Sequence, residues 1–147
     1  MKSFEIQITA GFYIGAAFSV LLLPWNILVS FAAATAIHEL CHLLVLQHCN
    51  VPVHQIKLGI FGAVLNTGNM TPGQELCCAA AGPSGSLLLV LLARWFPLTA
   101  LFGLFQGLFN LLPIYPLDGG RILRSIFMLA KMGRWDYNSS DYEQRGI

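Results

Sequence analysis

Two histidines and a glutamate lie within one short segment, His38-Glu39-Leu40-Cys41-His42. On an α-helix, side chains four residues apart lie on one face, so both imidazoles could bind the same metal ion. Glu39 directly follows the first histidine, where its carboxylate could take a proton from a water molecule on that ion. The pattern predicts a metal site that hydrolyses a bond with activated water. The alternative is a polar cluster that holds helices together, which is costly inside an apolar helix without a cation.

A catalytic zinc ion usually has three protein ligands, so two histidines leave the predicted site incomplete. Asp118 is one candidate for the third ligand, because it ends an apolar run and precedes two glycines that permit close backbone approach. Cys41 is the competing candidate, since it lies three residues after His38 on the same predicted helix. Its side chain would point away from the line that joins the two histidines.

The composition predicts that these residues belong to an integral membrane protein. The chain has 147 residues, of which 56% are hydrophobic and 10% are charged, whereas soluble domains have about 25% charged residues. A chain this small cannot hide so much apolar surface from water. Its formal net charge of +1 excludes the basic surface of a nucleic-acid-binding protein. The cysteines lie in or beside apolar runs, and we expect free thiols.

Apolar runs divide the chain into about four transmembrane helices. We predict them at residues 8–23, 26–47, 75–93 and 97–112. The first break falls at Pro24, which disfavours helix at the residue before it. No cleavage site follows the first run, so we expect it to remain as a membrane span.

Three further elements are predicted around these spans. Weak alternation over residues 54–64 indicates a small re-entrant β-hairpin between helices two and three. A short membrane-edge helix covers residues 121–132, and a polar tail covers 136–147. The predicted fold is an all-α polytopic membrane protein with one core domain over residues 1–135.

Basic residues predict the orientation, because Lys and Arg concentrate in cytoplasmic loops. If both termini are cytoplasmic, in a prokaryotic cell membrane, all basic residues except one lie inside. The inner residues are Lys2, Lys57, Arg121, Arg124, Lys131, Arg134 and Arg145, and the outer one is Arg94. The two-histidine motif then lies in the cytoplasmic half of the second helix, and we interpret His48 and His54 as interfacial residues.

Two motifs resemble those of the site-2 protease family of intramembrane zinc metalloproteases. The first is H-E-x-x-H, and the second is N-x-x-P-x-x-P-L-D-G-G-R at residues 110–121. An A-G-P element at residues 81–83 is also similar, although Ser86 stands where the family commonly has Asn. The resemblance is greatest to short prokaryotic members such as the stage IV sporulation type, and we expect a chain close to a minimal catalytic core.

The resemblance implies one zinc ion per chain, bound by His38, His42 and Asp118. It also implies that Glu39 is the general base and that Asn110 contacts the substrate or the transition state. The hairpin at residues 56–64 would pair with the substrate as an added strand. A plain cytoplasmic loop is the alternative for that segment.

The expected function is hydrolysis of a peptide bond in or near a transmembrane segment of a membrane-protein substrate, toward the cytoplasmic side. The substrate must unwind locally, because a helix hides its carbonyl groups. The expected partners are this substrate and the lipid bilayer, with no nucleic acid. The alternatives are a catalytically silent zinc-binding membrane protein that sequesters substrates, and a small metal transporter.

Overall fold

The computed structural model describes residues 5–59 and 62–144. Within them, five α-helices and three β-strands follow one another along the chain. The helices are α1 (Ala10–Leu22), α2 (Trp25–His48), α3 (Pro72–Leu88), α4 (Pro97–Asn110) and α5 (Asp118–Gln144), and a 3₁₀ turn at Leu89–Leu92 extends α3. The strands are β1 (Glu5–Ile8), β2 (Val53–Gly59) and β3 (Gly62–Thr67). The predicted mostly helical fold with a small hairpin is confirmed at this level.

Two stretches, Trp25–His48 and Pro72–Leu92, are long and apolar enough to cross a membrane. The helix α1 is apolar but has 13 residues, and α4 has 14, whereas a straight crossing needs about 20. The structure therefore has two candidate spans among the described residues. The predicted total of four crossings stays a prediction.

The helix α2 turns its two motif histidines toward the protein and exposes several large apolar residues. Its buried residues recur at every fourth position and form one stripe: Ala34, His38, His42 and Leu46. Leu40 and Leu44 lie on other faces and are 51% and 54% exposed. A helix in water shows the reverse pattern, whereas ionisable residues in a membrane span almost always face the bundle interior. The exposed surface of α2 therefore fits an apolar environment such as the interior of a membrane.

The start of α3 differs from the predicted start at residue 75. The helix begins at Pro72, because the Thr71 hydroxyl accepts a hydrogen bond from the Gln74 backbone N–H, at 3.3 Å. The Gln74 side-chain oxygen in turn accepts one from the Thr71 N–H, at 3.0 Å. This reciprocal cap satisfies two N–H groups that the helix cannot satisfy itself.

The helix α3 lies at the centre of the bundle, between α2, α4 and α5. Glycines on α4 make the α3–α4 approach close. A Cβ atom at Gly103 would lie 2.7 Å from the Ser86 carbonyl oxygen, and one at Gly107 would lie 3.1 Å from the Leu87 side chain. Small residues at such positions let helix backbones approach in a membrane.

The small sheet has the strand order β1-β2-β3. The strands β2 and β3 form the predicted hairpin, with Ile56 opposite Leu65; its tip, residues 60 and 61, lies outside the described residues. The strand β1 pairs with β2 in parallel, with Glu5 opposite Gln55, and the predicted fold lacked it. Four residues beside an apolar run carry too little alternation to indicate a strand, and the pairing comes from a segment some fifty residues away.

The last helix, α5, begins at Asp118 and continues to Gln144. It is longer at both ends than the predicted helix over residues 121–132, and it runs into the segment predicted as a polar tail. Residues 145–147 of that tail lie outside the described residues. At its start, a Cβ atom on Gly119 would collide with the carbonyl oxygens of Leu111 and Leu112. The glycine therefore allows the loop after α4 to lie against the first turn of α5.

Candidate metal centre

Three predicted ligands meet in one buried cluster. The Nε2 atoms of His38 and His42 lie 3.2 Å apart. One oxygen of Asp118, Oδ2, lies 3.3 Å from the first nitrogen and 3.2 Å from the second. The three residues are 3%, 5% and 6% exposed, and their ligand atoms form a group that could hold a metal ion.

The dimensions of this triangle fit a tetrahedral zinc ion. With metal–ligand bonds of about 2.0–2.1 Å, two ligands of such an ion lie about 3.3 Å apart. The three edges of the cluster are 3.2, 3.3 and 3.2 Å. Two imidazoles and one carboxylate also form a donor set found in catalytic zinc sites, and three protein ligands leave one position open.

The opposite nitrogen of each imidazole is held by α3. The Nδ1–H of His42 donates to the Cys78 carbonyl oxygen, at 2.8 Å. A carbonyl can only accept, so this bond places the proton on Nδ1 and leaves the Nε2 lone pair for a metal. The Nδ1 atom of His38 lies 2.8 Å from the Ser86 hydroxyl. The sequence analysis did not predict these two partners. For Ser86, the available signal was a polar residue within the apolar run of residues 75–93.

Gly82 provides the space in which the ligand atoms meet. A Cβ atom at this position would lie 2.8 Å from the His38 Nε2 and still closer to the His42 Nε2. Any larger residue would therefore occupy the volume in front of the ligand nitrogens. The A-G-P element of the sequence thus has a steric role at the site.

Cys41 lies outside the cluster. Its sulfur atom fills the space above Gly85, where a Cβ atom would collide with it. Among the described residues, only His38, His42 and Asp118 have ligand atoms close enough together to bind one metal ion. The structure therefore favours Asp118 over Cys41 as the third ligand. His48 and His54 also lie outside that group.

The two predicted catalytic residues lie on different helices. Glu39 follows His38 on α2 and is half-buried, so part of its side chain stays accessible. Asn110 is the last residue of α4, and its side-chain amide donates to the Gln106 carbonyl oxygen one turn earlier, at 3.1 Å.

The second oxygen of Asp118 faces a cation. The Arg121 Nη1 atom lies 3.7 Å from Asp118 Oδ1, and the Arg121 Nε atom lies 3.8 Å from Glu75 Oε1. Burial opposes ionisation of Asp118, but the neighbouring imidazoles of His38 and His42 outweigh it and lower its pKa to about 2. The residue is therefore a carboxylate, the form that binds metals.

Comparisons with known proteins show which peptidases the chain resembles. A sequence profile of peptidase family M50 matches residues 90–137, the segment that contains Asn110, Asp118 and Arg121. The fold resembles the site-2 protease of Methanocaldococcus jannaschii with a TM-score of 0.65 and 27% identity, over 83% of this chain and 66% of that one. The chain is therefore similar to site-2 proteases in its fold and to peptidase family M50 over residues 90–137. The resemblance stated from the two motifs is confirmed.

Several curated proteins of this kind are similar in sequence. Rip3 of Mycobacterium tuberculosis, named as a candidate zinc metalloprotease, is 35% identical over 66% of this chain and 30% of its own length. A Synechocystis protein, named in the same way, is 39% identical over 70% of this chain and 32% of its own length. A zinc metalloprotease of Methanocaldococcus jannaschii is 31% identical over 69% and 34%. The chain spans about a third of the length of these curated relatives.

Proposed function

We propose that this chain is a zinc-dependent intramembrane protease that hydrolyses a peptide bond in or near a transmembrane segment of a membrane-protein substrate. The observation that carries the proposal is the buried triangle of His38, His42 and Asp118 on an apolar helix bundle. The names of the curated relatives support zinc as the metal.

The proposed hydrolysis uses a bound zinc ion and the side chains of Glu39 and Asn110. A zinc ion bound by the three ligands would act as a Lewis acid that makes water nucleophilic at neutral pH and polarises a carbonyl group. Glu39 takes the proton from the attacking water on its carboxylate and passes it to the leaving amide nitrogen. Its position directly after His38, with a half-buried side chain, supports this role. Asn110 donates a hydrogen bond to the substrate or to the developing oxyanion after its amide leaves Gln106.

The substrate binds as an extended strand at the edge of the small sheet. Strand addition holds a peptide by its main chain and keeps it unwound for attack. Residues 56–59 belong to β2, which has β1 on one side and β3 on the other. The outer strand of the hairpin is β3, Gly62–Thr67. We therefore propose that the substrate pairs with β3, the second strand of the hairpin predicted at residues 56–64.

The chain crosses the membrane with both termini in the cytoplasm of a prokaryotic cell. The distribution of Lys and Arg supports this orientation, and we propose that α1 and α4 join the two candidate spans in the membrane. The core over residues 1–135 acts as one catalytic unit, because α2, α3 and α5 each contribute to the metal centre. Cleavage then takes place toward the cytoplasmic side.

Glu39→Gln tests the proposal. The detergent-purified wild type and variant are reconstituted with a single-span fusion protein that carries Gly and Asn in its transmembrane segment and a different epitope tag at each end. We expect the variant to keep its zinc and lose cleavage, because an amide cannot accept the proton. Wild-type protein that binds zinc and leaves a panel of such fusions intact would indicate the silent zinc-binding alternative. Zinc flux into vesicles that contain the wild-type protein, without a fusion substrate, would indicate a transporter.

A further inference from the structure

We propose that Arg121 is a positioning residue that keeps one oxygen of Asp118 turned toward the two histidines, and that Glu75 holds Arg121 in place. The proposal rests on the metal site proposed above and deepens it. It assigns a role to two charged residues that neither bind the metal nor touch the reacting atoms.

The two oxygens of the Asp118 carboxylate face different partners. Oδ2 lies 3.2–3.3 Å from both Nε2 atoms, whereas Oδ1 lies 3.7 Å from the Arg121 guanidinium. The two residues are three positions apart on α5, so they share one helix face. Without a cation on one side, the two oxygens are equivalent, and the carboxylate could turn away or offer either of them. The guanidinium of Arg121 attracts Oδ1, so Oδ2 stays directed at the two histidines.

Glu75 connects this arrangement to the other half of the site. It lies in the first turn of α3, and its Oε1 atom is 3.8 Å from the Arg121 Nε atom. The same helix provides the Cys78 carbonyl and the Ser86 hydroxyl that orient the histidines. The ion pair therefore joins the helix that orients two ligands to the helix that carries the third.

Burial makes this network different from an ordinary surface pair. The side chains of Asp118, Glu75 and Arg121 are 9%, 15% and 26% exposed, so solvent and salt screen their attraction less than at a surface. Ligands of metals are oriented by such outer partners, whose loss weakens metal binding by about 10–100-fold.

Arg124 offers a matched control on the same helix. Its Nη1 atom lies 3.9 Å from the same Glu75 oxygen, and its side chain is half exposed. Among the described residues it forms no ion pair with Asp118. A general need for positive charge near Glu75 would involve both arginines, whereas positioning of Asp118 involves Arg121 alone.

The test is zinc affinity, measured by competition with a chromogenic chelator on the full chain in detergent. We expect Arg121→Gln to bind zinc about 10-fold more weakly, and Arg124→Gln to change affinity by less than about threefold, as an exposed pair does. Arg121→Lys keeps the charge and should recover part of the loss. Equal affinities of Arg121→Gln and wild type, or equal losses in the two arginine variants, would overturn the proposal.

A double-mutant cycle tests the part of Glu75. If Glu75 acts through Arg121, Glu75→Gln weakens zinc binding and the double variant with Arg121→Gln is no weaker than Arg121→Gln alone; additive losses would refute that link. Melting temperatures without and with zinc separate folding from positioning. If Arg121 positions Asp118, its substitution reduces the increase in melting temperature that zinc produces. If its role is purely structural, the substitution lowers the melting temperature of the zinc-free protein. Wild-type protein without zinc would instead refute the proposed function itself.

Discussion

The Ser86 hydroxyl oxygen lies 2.8 Å from the Nδ1 atom of His38, deep in the interface between α2 and α3. Ser86 is fully buried. The Cys78 carbonyl holds the other histidine ring, two turns earlier on the same helix. Thus α2 provides both imidazoles, and α3 sets their orientation. Such outer partners fix the ring and its tautomer before a metal arrives.

Ser86→Ala should weaken zinc binding about 10-fold, the lower end of the effect of losing an outer hydrogen bond to a ligand. The imidazole of His38 would lose its fixed orientation, while the ligand atoms themselves remain. Chelator competition on the purified protein measures the change. Ser84→Ala is the matched control, because the Ser84 hydroxyl donates to the Ala80 carbonyl of its own helix. Equal zinc affinities of the two variants would contradict the role of Ser86.

Gly82→Ala should abolish stoichiometric zinc binding. The added methyl group would occupy the volume in front of both ligand nitrogens, and the buried helices around it leave little room for relaxation. The control is Gly73→Ala at the start of the same helix, where a Cβ atom meets nothing within 4 Å. Zinc content by elemental analysis distinguishes them. A Gly82→Ala protein that folds and carries a full complement of zinc would show that the space above Gly82 is not the metal site.

Thr71→Ala should lower stability by about 1 kcal/mol, the usual cost of losing an N-cap side chain. The variant loses the bond from the Gln74 N–H to the Thr71 hydroxyl and keeps the reciprocal bond to the Gln74 side chain. Thermal unfolding in detergent measures the loss, and Thr71→Ser should restore most of it. Neither hydrogen bond of the cap involves Glu75, Cys78 or Ser86, so zinc affinity should stay unchanged; a large loss of affinity would show that the cap and the metal site are coupled.

The three candidate metal ligands could be predicted from the sequence, because the histidines form a local motif and the aspartate is a residue type that binds metals. The two histidines lie one helical turn apart, and Asp118 is an isolated carboxylate beside two glycines. Pro24 marked the break between α1 and α2 in the same way, since proline acts on the residue before it.

The missed features depend on contacts between distant segments. The bond between Ser86 and His38 joins residues 48 positions apart, and the space above Gly82 exists only once α3 lies against α2. The strand β1 exists through its pairing with β2. The helix α5 begins at Asp118 and not at the predicted residue 121, because the two glycines after Asp118 allow the preceding loop to pack closely against its first turn.

Zinc content of the detergent-purified chain tests the central claim most directly, with wild type, Asp118→Ala and Cys41→Ala compared after purification without chelators. We predict one zinc per chain in the wild type and in Cys41→Ala, because the Cys41 sulfur packs against Gly85 outside the ligand cluster. We predict its loss in Asp118→Ala, since two imidazoles alone leave the ion short of a protein ligand. Zinc retained in full without Asp118, or a wild type that binds none, would contradict the account.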